Sequence, residues 1–272
     1  QIVFKEKPDH IYCQLVRMAE YVKDMFHVTK TIDYMDAFSK GMERQAADTP
    51  YPLKYVYQKE AIKLKEYESK IFYEFDLKTI IPNGVDVEEF YLKEEGNKAH
   101  DLLFVGNMSY YPNVKAAEFL VEKVLAKLNE KKHVANVLIA GANPAPQVLA
   151  LEQKGVKISG WVDDIVATYH SAKIFVAPLF HGSGLQNKIL EAMASGVPVI
   201  ATTQTNNAIK AMPGQEILLA DNEIEFANCI VELLSDKALY QLLIKNARTF
   251  VEQNYSWSVC VNDLEKAIKE IE

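Results

Sequence analysis

The sequence predicts an α/β fold built on a mostly parallel, doubly wound sheet. Short apolar runs alternate along the chain with segments whose apolar residues recur at helical spacing. Most of the runs are continuously apolar, which is typical of strands that are buried on both faces of a parallel sheet. The alternation of strand with helix is typical of βαβ units.

The predicted elements follow one another in a regular order. Strands are predicted at residues 11–13, 28–32, 102–105, 137–139, 174–177, 197–201 and 217–219. Helical periodicity predicts helices at residues 114–128, 163–170, 188–194 and 224–235. Residues 36–70 form a polar, tyrosine-rich segment with a turn at residues 49–52, and a last helix is expected after Ser256 or Ser258.

A domain boundary is predicted near residues 86–100, where the turn-rich IIPNGVD is followed by a polar stretch. After this stretch the alternation of strand and helix is complete, whereas residues 1–96 hold only two convincing strands. We therefore expect residues 1–96 to be the second half of an N-terminal domain whose first half is absent from this chain. Residues 97–255 should form a complete C-terminal domain, and residues 256–272 a helix that packs back toward the N-terminal part.

Composition excludes several classes of function. The net charge of −7 argues against a basic nucleic-acid-binding face. The three cysteines lie far apart, which favours a reducing, cytoplasmic compartment over a disulfide framework. No stretch approaches the roughly 20 apolar residues of a membrane span. The chain begins at Gln1 and not at a methionine, and no signal peptide is visible, so we expect its first residue not to be the start of the gene product.

The segment HGSGLQNKILEAMASGVPVIAT, which follows a predicted strand, has the features of a phosphate site. Gly182 and Gly184 allow close approach of the backbone, and the helix after them offers free N–H groups and the positive end of its dipole. Lys188 adds a positive charge, and Glu191, three residues on, is suited to accept hydrogen bonds from ribose hydroxyls. The spacing alone is equally compatible with an ordinary glycine loop in which Lys188 and Glu191 form a solvated ion pair.

A second glycine follows the strand at residues 102–105, in LLFVGNMSYYPN. Gly106 again permits backbone approach at the carboxyl end of a strand, where ligands of parallel sheets bind. A tight turn that needs glycine explains the same residues. If both glycine-bearing ends bind a ligand, they should face one common crevice.

The chain resembles the retaining glycosyltransferases of the GT-B fold, family 4 type, also described as glycosyl transferases group 1. The resemblance is carried by IIPNGVDVEEF, LLFVGNMSYYPNVKAAEFL, VLIAGANP, ISGWVDDIVATYHSAKIFVAPL, GSGLQNKILEAMASGVPVIAT, PGQEILLADN and NYSWSVC. DYMDAFSKGMERQ and YQKEAIKLKEYESKIFYEFD resemble bacterial sugar transferases of exopolysaccharide assembly. The resemblance implies two Rossmann-like domains that face a cleft, the N-terminal one incomplete here.

The resemblance implies roles for the residues of the glycine-rich loop and its helix. Glu191 matches the second glutamate of a paired-glutamate motif, which holds the nucleotide ribose. The first glutamate, which contacts the donor sugar, is missing, because its place falls on Ser183, or on His181 if the loop is two residues longer. Lys188 and Glu191 are therefore the expected catalytic residues.

The other implied donor contacts lie at strand ends and in the loop. Asn107 and Asn113 stand where the family has the arginine and lysine that neutralise the diphosphate, and Lys188 is expected to replace them. The positions matched to nucleotide, phosphate or sugar binding are Gly106, Asn107, Asn113, Trp161, Val162, Gly182, Ser183, Gly184 and Leu185.

On the acceptor side the resemblance is weaker. Gln14 occupies the place of a family histidine, and Asp33 and Asp36 lie at the end of another strand, where they could face the cleft. Caps of a turn or helix are the favoured explanation of both aspartates. Relatives carry a further strand and loop before IPNGVD. We therefore expect residues to be missing between Asp76 and Leu77.

The implied reaction transfers a sugar from a nucleotide diphosphate to an acceptor hydroxyl with retention of configuration. No metal and no cofactor are expected, and the acceptor would be a carbohydrate or a lipid-linked molecule of polysaccharide or glycoconjugate assembly. Cytoplasmic location is expected, with peripheral association at the inner face of the membrane left open and no nucleic-acid partner. A nucleotide-sugar epimerase of the same fold and a non-catalytic nucleotide-sugar-binding scaffold remain alternatives.

Overall fold

The computed structural model describes residues 2–34, 37–93, 96, 98–181 and 184–271. The chain divides into two units, one made of Gln1–Asn83 with Ser258–Glu272 and the other of Gly84–Trp257. Each unit contains one sheet, and every strand pair within the two sheets is parallel. The predicted α/β class is therefore confirmed.

The strands agree with the predicted runs except for two that the sequence analysis did not identify, β3 and β6. Their bounds are β1 His10–Gln14, β2 Thr29–Asp33, β3 Leu77–Thr79, β4 His100–Val105, β5 Val137–Ala140, β6 Val156–Gly160, β7 Ala172–Ala177, β8 Val199–Ala201 and β9 Leu218–Leu219. β3 has only three residues, and β6 carries the charged Lys157 in its middle. Neither strand forms a continuous apolar run.

The helices lie between the strands, as the periodicity predicts. Those of the first unit include α1 Ile2–Glu6, α2 Val16–Ala19, α3 Phe38–Asp48 and α4 Leu53–Phe72, and α3 and α4 flank the predicted turn at residues 49–52. The later helices are α5 Tyr111–Phe119, α6 Leu125–Glu130, α7 Pro146–Leu149, α8 Ile165–His170, α9 Asn187–Ala194, α10 Thr203–Ile209, α11 Glu223–Ser235, α12 Lys237–Asn254 and α13 Trp257–Lys269. A π-helical segment, Leu120–Val124, joins α5 to α6, so that one continuous helix replaces the predicted helix at 114–128.

The sheet of the second unit has the strand order β6-β5-β4-β7-β8-β9. This is the order 3-2-1-4-5-6 of a doubly wound nucleotide-binding sheet, in which the direction of winding reverses between the first and fourth strands. Here these strands are β4 and β7, which pair through Leu102 with Ile174 and Leu103 with Phe175. All four side chains are fully buried, so the central strands are covered on both faces.

The first unit has a three-stranded sheet with the order β1-β2-β3. Cys13, Val16, Ile32, Ile71 and Phe75 belong to its small apolar core, which brings α2 and α4 against the strands.

The division between the units lies at Asn83 and Gly84, so residues 84–96, which the sequence analysis assigned to the first part, belong to the second unit. Val85 and Phe90 are the physical reason, because both are buried in the apolar core of the second unit. The division near the C-terminus falls between Trp257 and Ser258, which groups nearly all of α13 with the first unit.

Arg248 on α12 binds residues 84–90 to the rest of the second unit. Its guanidinium donates to the backbone carbonyls of Phe90 at 2.6 Å, Ala194 at 2.8 Å and Val87 at 2.9 Å. The side chain is only 14% exposed, and its Nε also donates to Glu252. One buried cation thus ties residues 84–90 to the C-terminal end of α9, where a positive charge is favoured by the helix dipole.

We expect Arg248→Met to lower the free energy of unfolding of the second unit by about 3 kcal/mol, because three carbonyls lose a charged donor. Urea unfolding followed by far-UV circular dichroism and by the fluorescence of Trp257 would measure the change. Glu252→Gln is the matched control, since it weakens only an exposed ion pair worth less than about 1 kcal/mol. Equal effects of the two variants would contradict the role assigned to the carbonyl contacts.

In the part of the chain that the structure describes, no helix combines the length and the apolar character that crossing a membrane requires.

Candidate functional site

The loops that follow β4 and β7 lie side by side, because the two strands are neighbours at the point where the winding reverses. Ligands of open parallel sheets bind in the crevice outside the carboxyl ends of these strands. The loop after β4 begins with Gly106, and the segment after β7 leads through Gly184 into α9. The two glycine-bearing ends therefore lie at one edge of the sheet, as the sequence analysis expected.

Lys188 of α9 is held against the end of β4. Its Nζ atom donates a 2.6 Å hydrogen bond to Oδ1 of Asn113 on α5 and lies 4.9 Å from the centre of the Phe104 ring. Asn113 is buried, and its Nδ2 donates to the backbone carbonyl of Asn107 at 2.9 Å. Two sequence-predicted residues, Asn113 and Lys188, are thus in direct contact across 75 residues of chain. The contact fixes the lysine at the switch point of the sheet.

Burial lowers the pKa of the Lys188 ammonium from 10.5 to about 8, and the nearby charge of Glu191 opposes this shift. At neutral pH most Lys188 side chains remain protonated, because pH 7 lies below this pKa. The ammonium is poorly solvated, so an anion placed beside it would be attracted more strongly than by an exposed lysine.

Gly106 leaves the space that the Asn113 and Lys188 side chains occupy. A Cβ atom at this position would lie 2.6 Å from Nδ2 of Asn113 and 2.9 Å from Nζ of Lys188. The glycine at the end of β4 is therefore required by the approach of these two side chains, and not only by a tight turn.

Two further glycines continue the same edge. Gly141 follows β5 with φ +138°, and a Cβ on it would overlap the carbonyl oxygen of Gly106. Its amide donates to the carbonyl of Gly160, the last residue of β6, at 2.8 Å. A row of glycines, Gly106, Gly141 and Gly160, thus lines the carboxyl ends of three adjacent strands. Sequence reasoning did not assign Gly141 to the site, although a glycine directly after a buried strand is the signal that identified Gly106.

The beginning of α9 supplies backbone donors beside Lys188. The helix starts at Asn187, after Gly184 with φ +82° and the half-buried Leu185, which packs against the core. Within the described residues the side chain of its N-cap residue, Gln186, makes no capping hydrogen bond. The first amides of a helix have no acceptor within the helix and carry its positive dipole end, so they favour an anion. Gly182 and Ser183 lie outside the described residues.

Glu191 is half-buried, and a tyrosine hydroxyl donates a hydrogen bond to its carboxylate. Oη of Tyr169 donates a 2.8 Å hydrogen bond to Oε2 of Glu191 and also lies 3.2 Å from the carbonyl oxygen of Lys188. Burial raises the pKa of the Glu191 carboxyl, whereas the tyrosine hydrogen bond and Lys188 lower it. The alternative of a solvated Lys188–Glu191 ion pair does not describe these contacts, because each side chain has its own buried polar neighbour.

The end of β6 leads to residues that the resemblance assigned to the nucleotide base. Trp161 is 75% exposed and its Nε1 donates to Asp163 at 3.2 Å, whereas Val162 packs against the core. Asp164 caps α8 by accepting from the amide of Ala167 at 2.8 Å.

Two more of the predicted residues, Asn107 and His181, contact neighbouring groups. The side chain of Asn107, which is exposed, accepts from the amide and hydroxyl of Ser109. The ring of His181, one of the two alternative places of the missing glutamate, lies 5.8 Å from the ring of Tyr111 at the start of α5. Neither contact brings a carboxylate to the edge of the sheet.

The residues expected on the acceptor side lie in the first unit. Gln14 is exposed at the end of β1. Asp33 is 1% exposed, and its carboxylate accepts from Tyr12 Oη at 2.6 Å and from the amide of Ile81 at 3.1 Å. These contacts agree with a structural role for Asp33, the alternative that the sequence left open. Asp36 lies outside the described residues.

Among residues 2–34, 37–93, 96, 98–181 and 184–271, no group of three or more histidine, cysteine, aspartate or glutamate side chains could hold a metal ion. The positive groups at the switch point, the Lys188 ammonium and the first amides of α9, are instead suited to a phosphate or diphosphate.

The chain is similar in sequence and in fold to known glycosyltransferases. The family model described as Glycosyl transferases group 1 matches residues 99–236, which include β4, β7 and α9. The capsular polysaccharide biosynthesis glycosyltransferase CapM of Staphylococcus aureus is 25% identical over 198 residues, which are 67% of this chain and 52% of CapM. A GDP-mannose-dependent monoacylated alpha-(1-6)-phosphatidylinositol monomannoside mannosyltransferase of Corynebacterium glutamicum is 25% identical over 200 residues, 66% of this chain and 52% of that protein. The chain thus spans about half the length of these relatives.

A solved structure shows the same fold. The Anabaena protein HepE, crystallised in complex with UDP and glucose, superposes with a TM-score of 0.70 at 14% identity, covering 98% of this chain and 80% of HepE. The family model covers just over half of the chain and contains the strand ends and the helix that build the site. The chain belongs to the glycosyl transferases group 1.

Proposed function

We propose that the protein transfers a sugar from a nucleoside diphosphate donor to an acceptor hydroxyl, with retention of anomeric configuration, in the assembly of a polysaccharide or glycoconjugate. The observation that carries the proposal is the position of Lys188. Its ammonium is held by Asn113 over Gly106, beside the start of α9, where the winding of the sheet reverses. A diphosphate is the ligand whose charge and size suit this arrangement.

In the proposed mechanism the site stabilises the leaving group. Negative charge grows on the diphosphate as the bond to the sugar breaks, and preorganised donors stabilise it without reorganisation. Lys188 would provide the charge, and the amides of Gly184, Leu185 and the first turn of α9 would provide hydrogen bonds. Glu191 would accept hydrogen bonds from the ribose. The exposed Trp161 and its neighbour Val162, which follow β6, would lie near the nucleotide base.

The relatives support a nucleotide-sugar donor without deciding which one. HepE was crystallised with UDP and glucose, whereas the mannosyltransferase of C. glutamicum is named as GDP-mannose-dependent. CapM is named as a capsular polysaccharide enzyme, which supports the proposed role in polysaccharide assembly. Uracil and guanine nucleotides therefore both belong in the test. The acceptor is to be sought among carbohydrates and lipid-linked sugars.

The experiment is a binding panel followed by product analysis. The chain is mixed with UDP, GDP, UDP-glucose, GDP-mannose and, as the control, AMP, and stabilisation is measured by thermal shift. A specific ligand at one hundred times its Kd should stabilise the fold by about 2.7 kcal/mol. No stabilisation by any nucleoside diphosphate at millimolar concentration would refute the proposal.

Product analysis separates the proposed transferase from its alternatives. Incubation of the labelled donor with an acceptor pool should yield a glycosylated product, whose anomeric configuration is read by nuclear magnetic resonance, with and without a chelator. An epimerase would give an altered sugar without any acceptor, and a scaffold would bind the donor unchanged. A product of inverted configuration would overturn retention alone. Loss of activity with the chelator would overturn metal independence alone.

The low pKa of Lys188 predicts a pH dependence of diphosphate binding. The ammonium is the binding form, and its fraction falls as pH rises through about 8. The affinity for UDP or GDP should therefore fall about tenfold between pH 7 and pH 9. Isothermal titration calorimetry in buffers of different ionisation enthalpy would show proton uptake near pH 8. Lys188→Arg, which stays charged, is the control, and an identical fall in that variant would contradict the assignment.

A further inference from the structure

We infer that Tyr169 is a positioning residue for ribose recognition, because its hydroxyl holds both the Glu191 carboxylate and the first turn of α9. The inference rests on the proposed function and adds to it a residue that contacts neither diphosphate nor sugar. Tyr169 lies in α8, on a different element from the residues that it positions.

The contacts of the hydroxyl are specific. Oη of Tyr169 lies 2.8 Å from Oε2 of Glu191 and 3.2 Å from the carbonyl oxygen of Lys188. A phenol hydroxyl carries one proton and can also accept. With Glu191 ionised it donates to the carboxylate. With Glu191 protonated it accepts from the carboxyl and donates to the Lys188 carbonyl, so the same hydroxyl serves both states.

Tyr169 is held rigidly. Its side chain is 0% exposed, its ring meets Phe90 edge-on at 6.0 Å between centroids, and Phe175 lies 5.7 Å away. Packing on two sides leaves the hydroxyl in one place. A carboxylate has two oxygens with about four acceptor positions, so one tyrosine bond fixes the direction of Glu191 and leaves capacity for ribose hydroxyls.

The titratable groups that act on Glu191 come from three parts of the chain. Lys188 on its own helix lowers the pKa of the carboxyl, Glu89 from the segment before β4 raises it, and burial raises it most. The hydrogen bond from Tyr169 on α8 lowers this pKa. Loss of the hydroxyl should therefore have two effects on one group: Glu191 loses its fixed direction, and it becomes protonated at a higher pH.

The experiment compares wild type with Tyr169→Phe, which keeps the ring and removes only the hydroxyl. Dissociation constants for UDP, dUDP, GDP, dGDP and inorganic pyrophosphate are measured by calorimetry between pH 5.5 and pH 8. For the nucleoside diphosphate that binds better, we expect affinity to fall about tenfold and the preference for ribose over deoxyribose to be lost. The acid limb of binding should move to higher pH, whereas pyrophosphate affinity should stay within about twofold.

A double-mutant cycle identifies the group through which the tyrosine acts. Glu191→Gln cannot ionise, so it should abolish the part of the acid limb that exceeds the titration of the ligand itself, and adding Tyr169→Phe to it should cause little further loss. Equal weakening of pyrophosphate and nucleotide by Tyr169→Phe would show a merely structural role and overturn the inference. Additive losses in the cycle would overturn it as well.

Two outcomes separate the inference from the function on which it rests. Wild-type protein that binds no nucleoside diphosphate refutes the proposed function together with the inference. Wild type that prefers UDP to dUDP, or GDP to dGDP, with Tyr169→Phe unchanged in preference and pH profile, overturns the inference alone. If the phenylalanine variant does not fold, 3-fluorotyrosine at position 169 replaces it. Its more acidic hydroxyl should move the acid limb to lower pH, and an unmoved limb would overturn the inference.

Discussion

Lys188→Met should abolish nearly all turnover of the nucleoside diphosphate donor while the protein stays folded. The lysine is the charged donor at the switch point, and removal of one preorganised donor from a developing anion costs about 2.7–4 kcal/mol, a rate loss of about 100- to 1,000-fold. Its ammonium is poorly solvated because it is buried, and this burial lowers its pKa to about 8. Methionine removes this desolvated charge, so stability should change by less than about 1 kcal/mol.

Lys173→Met provides the matched control for this variant. Lys173 stands near the start of β7, at the opposite edge of the sheet from the site, and pairs with Asp101 at 2.7 Å. The two variants remove the same charge from the same unit. Donor affinity and donor hydrolysis or transfer, measured side by side, should fall only in Lys188→Met. Loss of the same size in both variants would mean that net charge, and not the placed ammonium, is responsible.

The sequence was sufficient to predict that Gly106 and Lys188 lie at the same edge of the sheet. Both follow continuously apolar runs, and the carboxyl ends of parallel strands meet at one edge, so the prediction needs only local signals and one rule of sheet geometry. The hydrogen bond between Asn113 and Lys188 shows that the segments after β4 and β7 lie next to each other. Asn113 was noted for its position in the resemblance, while the hydrogen bond that gives it a role depends on the neighbouring strand.

Other features could not be predicted because they depend on contacts distant in sequence. Tyr169 is an apolar position of a helix by its periodicity, and only the folded chain shows its hydroxyl beneath Glu191. The unit boundary was placed too late because the polar residues around Phe90 resemble a linker, although Phe90 itself is buried and Arg248 binds its carbonyl. The polarity of the residues around Phe90 gives no information about Arg248, which lies on a helix more than 150 residues away.

Gly141→Ala should destabilise the second unit severely and disrupt the site. A Cβ on Gly141 would overlap the carbonyl oxygen of Gly106, and the backbone at φ +138° is one that residues with a side chain rarely adopt. The overlap lies between two backbones, so no side chain can rotate to relieve it, and the ends of β4 and β5 must separate. We expect a loss of about 3–5 kcal/mol in the free energy of unfolding, from overpacking together with backbone strain.

Gly160→Ala separates the two causes. Gly160 ends the next strand, with φ +67°, and a Cβ there would meet nothing within 4 Å, so this variant carries the strain of a left-handed backbone without the clash. It should cost about 1–2 kcal/mol. Urea unfolding of both variants gives the difference, and pyrophosphate affinity at low urea shows whether moving the Gly106 carbonyl also displaces Lys188. Equal stability of the two variants would mean that the ends of β4 and β5 part easily, and that the overlap with the Gly106 carbonyl costs little.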